Sequence, residues 1–592
     1  MNLTNLKVTT KEATLFTLFT LSLLSLGWLF FVLALFNFFV FPVIFMGTVF
    51  FGLTALFFLG RFFLVSPRAV ALSVALLAVI SIGNLLFTTP TIMSGRDQGS
   101  ISEAAIRLSE NTVVTYRTPA TQTFFDIYGP GKALNFPGFA YTENGDVISQ
   151  FPLVYTSFLA GFYSLFGLAG FTIANTLLLF CFLFTFFELL RFFIKPFYAS
   201  LGTIAGALSF LPLWFSQFTL TENLALFLFT FTAYSLIRFV AEPKFLYYFA
   251  LFGASSLLVF TRIEGYAFFV ILFLFLLTQK QARALFSTYR FKALILPGLV
   301  LFFIFLRNFF INLPYYKTIG RALDKFLGGF GSNVLGGQSG HVLSGHYPVG
   351  SVLILYGVLP LFLCGILGYL VLWRQKKYLA FLPMLLALPT LLYLFLPNIT
   401  LDHPWMLRRY YFTLFPVFLF GTLLGLNTLA ESTKRPKFFF AVFVSLLILF
   451  GAPAFVSVQL VREDKNLLSQ VETFSQGFSS DSLILIDSKA TGSGYAIPTG
   501  PLNTLFQRQA VYFFNPEDIT KIDFTKFSQV YLVSPESELP RYVESFGERM
   551  IYKGSFTFTR TGLEERSLID NQAFSFPKQK VFETKNSIFQ VY

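Results

Sequence analysis

The sequence predicts a mostly α-helical, polytopic membrane protein: a transmembrane bundle of about 13 spans, followed by a small extracytoplasmic α/β domain. Three observations predict it. The chain has 592 residues, of which 55% are hydrophobic and only 12% charged, with 84 Phe; globular proteins carry roughly 25% charge. Apolar runs of about 20 residues, the length that crosses a bilayer, recur from residue 14 to residue 459. The composition then changes. Residues 461–592 hold 14 of the 43 Lys and Arg and 16 of the 30 Asp and Glu. With a mean hydropathy of +0.67, such a chain would expose too much apolar surface for a soluble enzyme, and collagen, coiled coil and disorder are excluded too. Cys181 and Cys364 both lie in apolar runs, which argues against a disulfide scaffold or a cysteine-rich metal centre. The basic excess sits in the apolar part. It points to membrane topology and anionic lipid, with no nucleic-acid partner.

Fourteen segments are candidate spans: 14–36, 38–60, 68–88, 152–168, 170–194, 198–218, 222–241, 246–261, 263–279, 291–311, 348–373, 379–397, 410–430 and 437–459. The first follows Lys7 and Lys11 without a small-residue cleavage site, so it reads as a retained helix. Lys and Arg collect in cytoplasmic loops. Lys7, Lys11, Arg61 and Arg68 therefore place the N-terminus in the cytoplasm. Basic clusters at Arg238/Lys244, Lys280/Arg283/Arg290/Lys292, Arg374/Lys376/Lys377 and Lys434/Arg435/Lys437 alternate correctly only if residues 461–592 end outside. An inside start and an outside end need an odd number of crossings, so one of the fourteen segments does not cross. Segment 198–218, with Gly202, Gly206, Pro212 and Ser216-Gln217, is the weakest helix and the expected broken or re-entrant piece. That choice leaves Arg191 and Lys195 outside, against the rule.

Three stretches then share the outer side: the loop 89–151, the segment 312–347 with its Gly328-Gly329-Phe330-Gly331 and Gly336-Gly337 runs, and the C-terminal domain. The domain division is 1–64 as an N-terminal hairpin, 65–460 as the main bundle with its outer loop, and 461–592 as the α/β domain. In the last, Leu483–Ile486 and Val530–Val533 read as buried strands, and the regions around Phe556–Phe558 and Ile588–Tyr592 as antiparallel ones.

Carboxylates are scarce before residue 460, and six fall in the first outer loop: Asp97, Glu103, Glu110, Asp126, Glu143 and Asp146. Asp97, in Gly95-Arg96-Asp97-Gln98-Gly99, follows a span by a few residues and so sits at the membrane boundary. Ser100–Ser109 reads as a short amphipathic helix lying on the bilayer surface, with Ile101, Ala105 and Leu108 on one side. A carboxylate at that depth can deprotonate a polar acceptor beside a lipid headgroup; the plainer alternative is a helix cap. Asp126 and Lys132 lie in an ordered Gly- and Pro-punctuated run, Phe125–Lys132, and are further substrate-binding candidates. Glu188, Glu222 and Glu264 are ionisable groups at or near membrane depth, where charge is costly and functional candidates concentrate. Glu188, one turn from Arg191, reads as a helix-end pair. Arg262 and Glu264 read either as substrate ligands or as an interfacial ion pair. Arg408 and Arg409, beside Trp405 and Tyr410, suit a lipid phosphate because guanidinium binds phosphate oxygens bidentately; an aromatic belt with snorkelling arginines is the alternative. His341, His346 and His403 all fall outside, at spacings that make a weak zinc site.

The Arg-Asp-Gln after an early span, the outer loop closing on Gln150-Phe151-Pro152-Leu153-Val154-Tyr155, Leu220-Thr221-Glu222, Thr261-Arg262-Ile263-Glu264-Gly265 and Arg408-Arg409-Tyr410 resemble the GT-C superfamily of membrane glycosyltransferases. The likeness is to the branch of protein mannosyltransferases and lipid A aminoarabinose transferases, and it covers about residues 65–460. It implies a polyprenyl-phosphate sugar as donor, a protein, glycan or lipid as acceptor, and inversion at the anomeric carbon. It implies Asp97 as general base, Arg262, Arg408, Arg409 and Lys132 as cations for the leaving phosphate, and Glu222 as a positioning group. Some relatives use a divalent metal and others none, so a metal cofactor stays open. The competing class is a transporter or flippase that uses Glu188, Glu222 and Glu264 as midplane groups.

Overall fold

The structure is a computed structural model. It describes residues 10–592 except 290–291, 293–294, 318–319, 321–348, 395–401, 434–435 and 565–573. Lys7, Arg290, the two glycine runs, His341, His346, Lys434 and Arg435 lie outside the described residues.

Among the described residues, seven helices are long and apolar enough to cross a membrane. They include α1 (Thr10–Leu35), α2 (Phe41–Val65), α7 (Ala169–Arg191) and α10 (Thr221–Ala241). Two end clusters show how the chain alternates. At the end away from the C-terminal domain, Arg191 bonds Glu12 at 3.1 Å and Glu188 at 2.5 Å, all three side chains being buried. At the other end, Asn84 donates to Ser216 at 2.7 Å, and Thr219 accepts from Thr91 or donates to it at the same distance.

These contacts revise the expected topology. Arg191 meets the start of α1 and therefore lies at the N-terminal end of the bundle, not the outer end. The segment expected to be re-entrant instead runs from one end cluster to the other, as two helices, α8 (Pro196–Ala207) and α9 (Phe210–Phe215). It runs parallel to α3 (Arg68–Gly83): Ser200 contacts Ser73 near the start of α3, and Ser216 contacts Asn84 at its end. The segment 152–168 is the one that does not run from end to end. Helix α6 (Leu153–Phe166) starts beside Pro152 at the domain end, and α7 also starts there, since Asn175 bonds Tyr155 and the Phe218 carbonyl. With Arg191 at the same end as the start of α1, the basic-residue violation disappears. Helix α6 is only 14 residues long, about 21 Å, which is short for a hydrocarbon core of ~30 Å.

Helix α4 (Asp97–Asn111) lies beside α6, with Ser109 and Ser164 2.7 Å apart. It was expected on the bilayer surface. It is buried over Gln98–Leu108, between α6 and the C-terminal domain, so its apolar side meets protein. The outer loop adds α5 (Pro119–Tyr128) and a small antiparallel sheet of β1 (Thr115–Tyr116), β2 (Gly131–Lys132), β3 (Phe139–Tyr141) and β4 (Val147–Ser149), in the order β1-β4-β3-β2.

The C-terminal domain holds β5 (Leu483–Asp487), β6 (Gln509–Phe513), β7 (Val530–Pro535), β8 (Met550–Leu563) and β9 (Gln579–Val591), ordered β6-β5-β7-β9-β8. The first three are parallel, and β9 runs antiparallel to both β7 and β8. Strand β5 is buried throughout, as a parallel strand covered on both faces should be. Phe124, Phe136 and Tyr141 of the outer loop share one core with Leu485, Val511 and Phe513. Loop and domain therefore form one layer over the bundle.

Close helix packing fixes the segment that precedes the last spans. The helix Val358–Arg374 and the helix Leu414–Thr433 touch through Gly365, Gly368, Gly421 and Gly425. A Cβ on Gly368 would lie 2.1 Å from the Gly421 carbonyl oxygen, so only backbone fits there, as in other small-residue membrane contacts.

The revised topology is checked by cysteine labelling. With Cys181 and Cys364 replaced by Ala, Glu110→Cys and Ala169→Cys should react with an impermeant maleimide from the face bearing the C-terminal domain. Lys195→Cys should react only from the opposite face. Reaction of residue 169 only from the opposite face, and of residue 195 from the face bearing the domain, would show that α6 crosses.

Candidate functional site

A cavity of about 360 Å³ opens where α4, α6, α10 and the residues around 262 and 408 converge. Asp97, Glu222, Arg262, Glu264, Arg408 and Arg409 all line it. Each stands where a helix begins. Asp97 is in the first turn of α4, Glu222 in that of α10 and Glu264 in that of α12 (Glu264–Thr278). The exposed N–H groups of a first turn favour an anion. Arg408 and Arg409 open a four-residue helix before the span Leu414–Thr433.

The charges alternate along one chain of contacts. Arg408 Nη1 donates to Asp97 Oδ2 at 2.5 Å, and its Nε lies 3.9 Å from Glu222 Oε1. Arg262 reaches the same Glu222 oxygen at 2.8 Å and donates to Thr221 Oγ1 at 3.0 Å. Its remaining donors form a fork on Glu264, at 3.2 and 3.0 Å. Arg409 Nη1 approaches Glu264 at 3.8 Å, and Tyr393 donates a hydrogen bond to Glu264. Three carboxylates thus balance three guanidiniums, so no net charge has to be held out of water.

The three arginines are not equivalent. Arg262 is 8% exposed, saturated by two carboxylates and set 4.6 Å over the Phe412 ring; it is a scaffold between α10 and α12. Arg409 is 25% exposed, lines the cavity and meets Glu264 only at 3.8 Å. Of the three it is the least committed to a protein carboxylate. Arg408 lies between these cases. Burial works against its charge, but Asp97 and Glu222 beside it hold its pKa above the ordinary value. Asp97 itself is 38% exposed and faces the cavity, where a reacting hydroxyl can reach it.

Two expected site residues lie elsewhere. Asp126 pairs with Lys526 at 3.0 Å and accepts from Gln122; it docks the loop onto the C-terminal domain. Lys132, exposed on β2, does not line the cavity. Glu188 is bound to Arg191 at the far end of the bundle, so the acidic residues invoked for a transporter do not share one depth. His403 shares a hydrogen bond with Tyr356 Oη at 3.1 Å and is not part of the cavity. Tyr393 and Tyr315 do belong to the site. They sit within or beside apolar runs, and nothing in the local pattern singles them out.

The carboxylates do not suit a divalent cation. Asp97, Glu222 and Glu264 each face guanidinium donors, and a cation there would have to displace arginines. Among the described residues no group of three or more metal-ligating side chains converges.

Next to the cavity, Glu463 and Asp464 face Arg96 and Arg560 across a small polar gap at the domain junction. Burial, reinforced by Asp464, raises the Glu463 pKa from 4.5 to about 7, against the pull of Arg96 and Arg560. The fold therefore holds this proton more tightly than the unfolded chain does, and its stabilising effect is complete below pH 4.5 and lost as pH rises through about 7. Glu463→Gln should keep that stabilisation at high pH. Its melting temperature relative to wild type should rise between pH 5 and pH 8, and a constant difference would reject the assignment.

No protein-family model and no curated protein matches the chain. Solved structures similar to it include ArnT from Cupriavidus metallidurans bound to undecaprenyl phosphate and the same protein in the apo state. Identity is 12% and 13%, each alignment covers 88% of this chain and 97% of the other, and both TM-scores are 0.48. A likeness at that level carries no conclusion about chemistry.

Proposed function

We propose that the chain is an inverting glycosyltransferase that moves a sugar from a polyprenyl-phosphate donor to an acceptor hydroxyl at the face bearing the C-terminal domain. One observation carries this reading. A half-exposed carboxylate, Asp97, and the guanidinium least committed to a protein carboxylate, Arg409, meet in one cavity at the end of a membrane bundle. A lipid-linked sugar phosphate is too apolar for water and too charged for hydrocarbon, so its chemistry belongs at such a boundary.

In the step proposed, the acceptor oxygen attacks the anomeric carbon as its proton passes to Asp97. The carbon–oxygen bond to phosphate breaks on the opposite face, and the lipid phosphate leaves with the electron pair. Its added negative charge is met by Arg409 and Arg408, donors already in place in a partly dehydrated site. As Arg408 turns toward that phosphate, its hold on Asp97 weakens and the carboxylate becomes the better base. Arg262 keeps Glu222 and Glu264 apart and fixes the cavity wall. The N-terminus lies in the cytoplasm and the C-terminal domain outside on this reading, as the basic loops require.

The test is turnover of undecaprenyl-phosphate hexoses and pentoses by the purified protein in vesicles, read as release of undecaprenyl phosphate. Asp97→Asn should lower kcat by at least ~100-fold with little change in KM for the donor; full turnover would remove the base assignment. Arg409→Ala should weaken donor binding ~10- to 100-fold, the range expected for a lost charge-assisted hydrogen bond, whereas Arg409→Lys should recover part of it. Unchanged affinity would take Arg409 out of the site.

A further inference from the structure

We propose that Tyr495, a residue of the C-terminal domain, is a positioning residue of the transfer site that acts through Arg96; this rests on the transferase reading above. The loop that carries Tyr495 follows β5, at the carboxyl end of a parallel strand. In α/β sheets that position commonly holds a ligand. Here it holds a piece of the catalytic loop.

The two chain segments meet backbone to backbone. Ser94 and Ile497 exchange both N–H···O bonds at 2.8 Å. Gly95 has φ +111°, and a Cβ there would lie 2.5 Å from the Gly494 carbonyl oxygen. The next residue, Arg96, lies between two aromatic rings. Its guanidinium is 3.9 Å from the Tyr495 ring centroid and 4.5 Å from the Trp405 ring centroid. Its Nη2 donates to Asp402 Oδ2 at 2.6 Å.

The consequence follows from chain connectivity. Arg96 adjoins Asp97. Asp402 opens the turn that leads into Arg408, its carbonyl accepting from the Met406 N–H at 3.0 Å. The same two segments therefore carry two ion pairs of opposite polarity, Arg96–Asp402 and Asp97–Arg408. Tyr495 covers the open face of the first pair and so sets the alignment of the second. Removing its ring would let Arg96 leave Trp405 and would loosen Asp97 relative to Arg408, while Arg409, Glu264 and the donor-binding wall stay in place.

Two measurements on the full chain in lipid nanodiscs test this. Amide hydrogen exchange of Tyr495→Ala should accelerate in peptides covering 94–101 and 402–410 and stay unchanged in β5 to β9, with Tyr495→Phe like wild type. Unchanged protection of 94–101 would overturn the proposal. With undecaprenyl-phosphate sugars, kcat of Tyr495→Ala should fall ~10-fold at nearly constant donor KM, and Tyr495→Phe should restore it, since a cation–π contact of this kind needs the ring face alone. A wild-type kcat in Tyr495→Ala would likewise overturn it. Should the wild-type chain transfer none of these sugars, the transferase reading fails, and the exchange experiment still decides whether Tyr495 positions the loop.

Discussion

Charge in this molecule is kept affordable by alternation. At the cavity the sequence of contacts runs Asp97, Arg408, Glu222, Arg262, Glu264, Arg409, acid and base in turn. An isolated charge at the edge of hydrocarbon would shift its equilibrium toward the neutral form or draw in water. Each one here has an opposite neighbour, and the cavity stays polar inside an apolar bundle. The same device recurs at the far end, where Arg191 stands between Glu12 and Glu188. Breaking such a buried set by removing one partner costs about 3–5 kcal/mol, which ties α1 to α7 firmly.

Alternation also distributes the work. A saturated cation cannot bind a further anion without losing a partner, so Arg262 serves as structure. The unsaturated end of the series, Arg409, is the group with something to offer. Asp97 stands at the opposite end, exposed and held by one guanidinium. On the proposed reading, base and anion site are the two termini of one ionic chain, with the cavity between them.

The outer layer gives this arrangement its rigidity. The loop 89–151 and the C-terminal domain share a core around Phe124, Phe136, Leu485 and Phe513 and are joined further by Ser94–Ile497 and by the Thr89 hydroxyl, which donates to the Glu463 carbonyl; the layer meets the bundle through α4, whose Ser109 hydroxyl lies 2.7 Å from that of Ser164. Helix α4 lies within that layer. A residue on it, Asp97, is therefore located by the sheet domain as much as by the membrane helices.

Composition and periodicity alone determined that the protein is a multi-pass helical bundle with a separate α/β piece, because hydrocarbon admits only chain that satisfies its own backbone. They also singled out Asp97, Glu222, Arg262, Glu264, Arg408 and Arg409, since charge is rare enough in this chain that each instance is conspicuous. Tertiary structure decided the rest. Apolar runs of similar strength hide whether a segment crosses, so α6 and the α8–α9 pair exchanged roles once Arg191 met Glu12. Amphipathicity says that α4 has an apolar side but not whether lipid or protein covers it. Asp126 and Lys132 shared a loop with Asp97 and pointed away from its cavity, because proximity in sequence fixes neither direction nor partner. The stacking of Arg96 between Trp405 and Tyr495 joins residues some three hundred to four hundred positions apart, and a pairing of that kind exists only after the chain has folded.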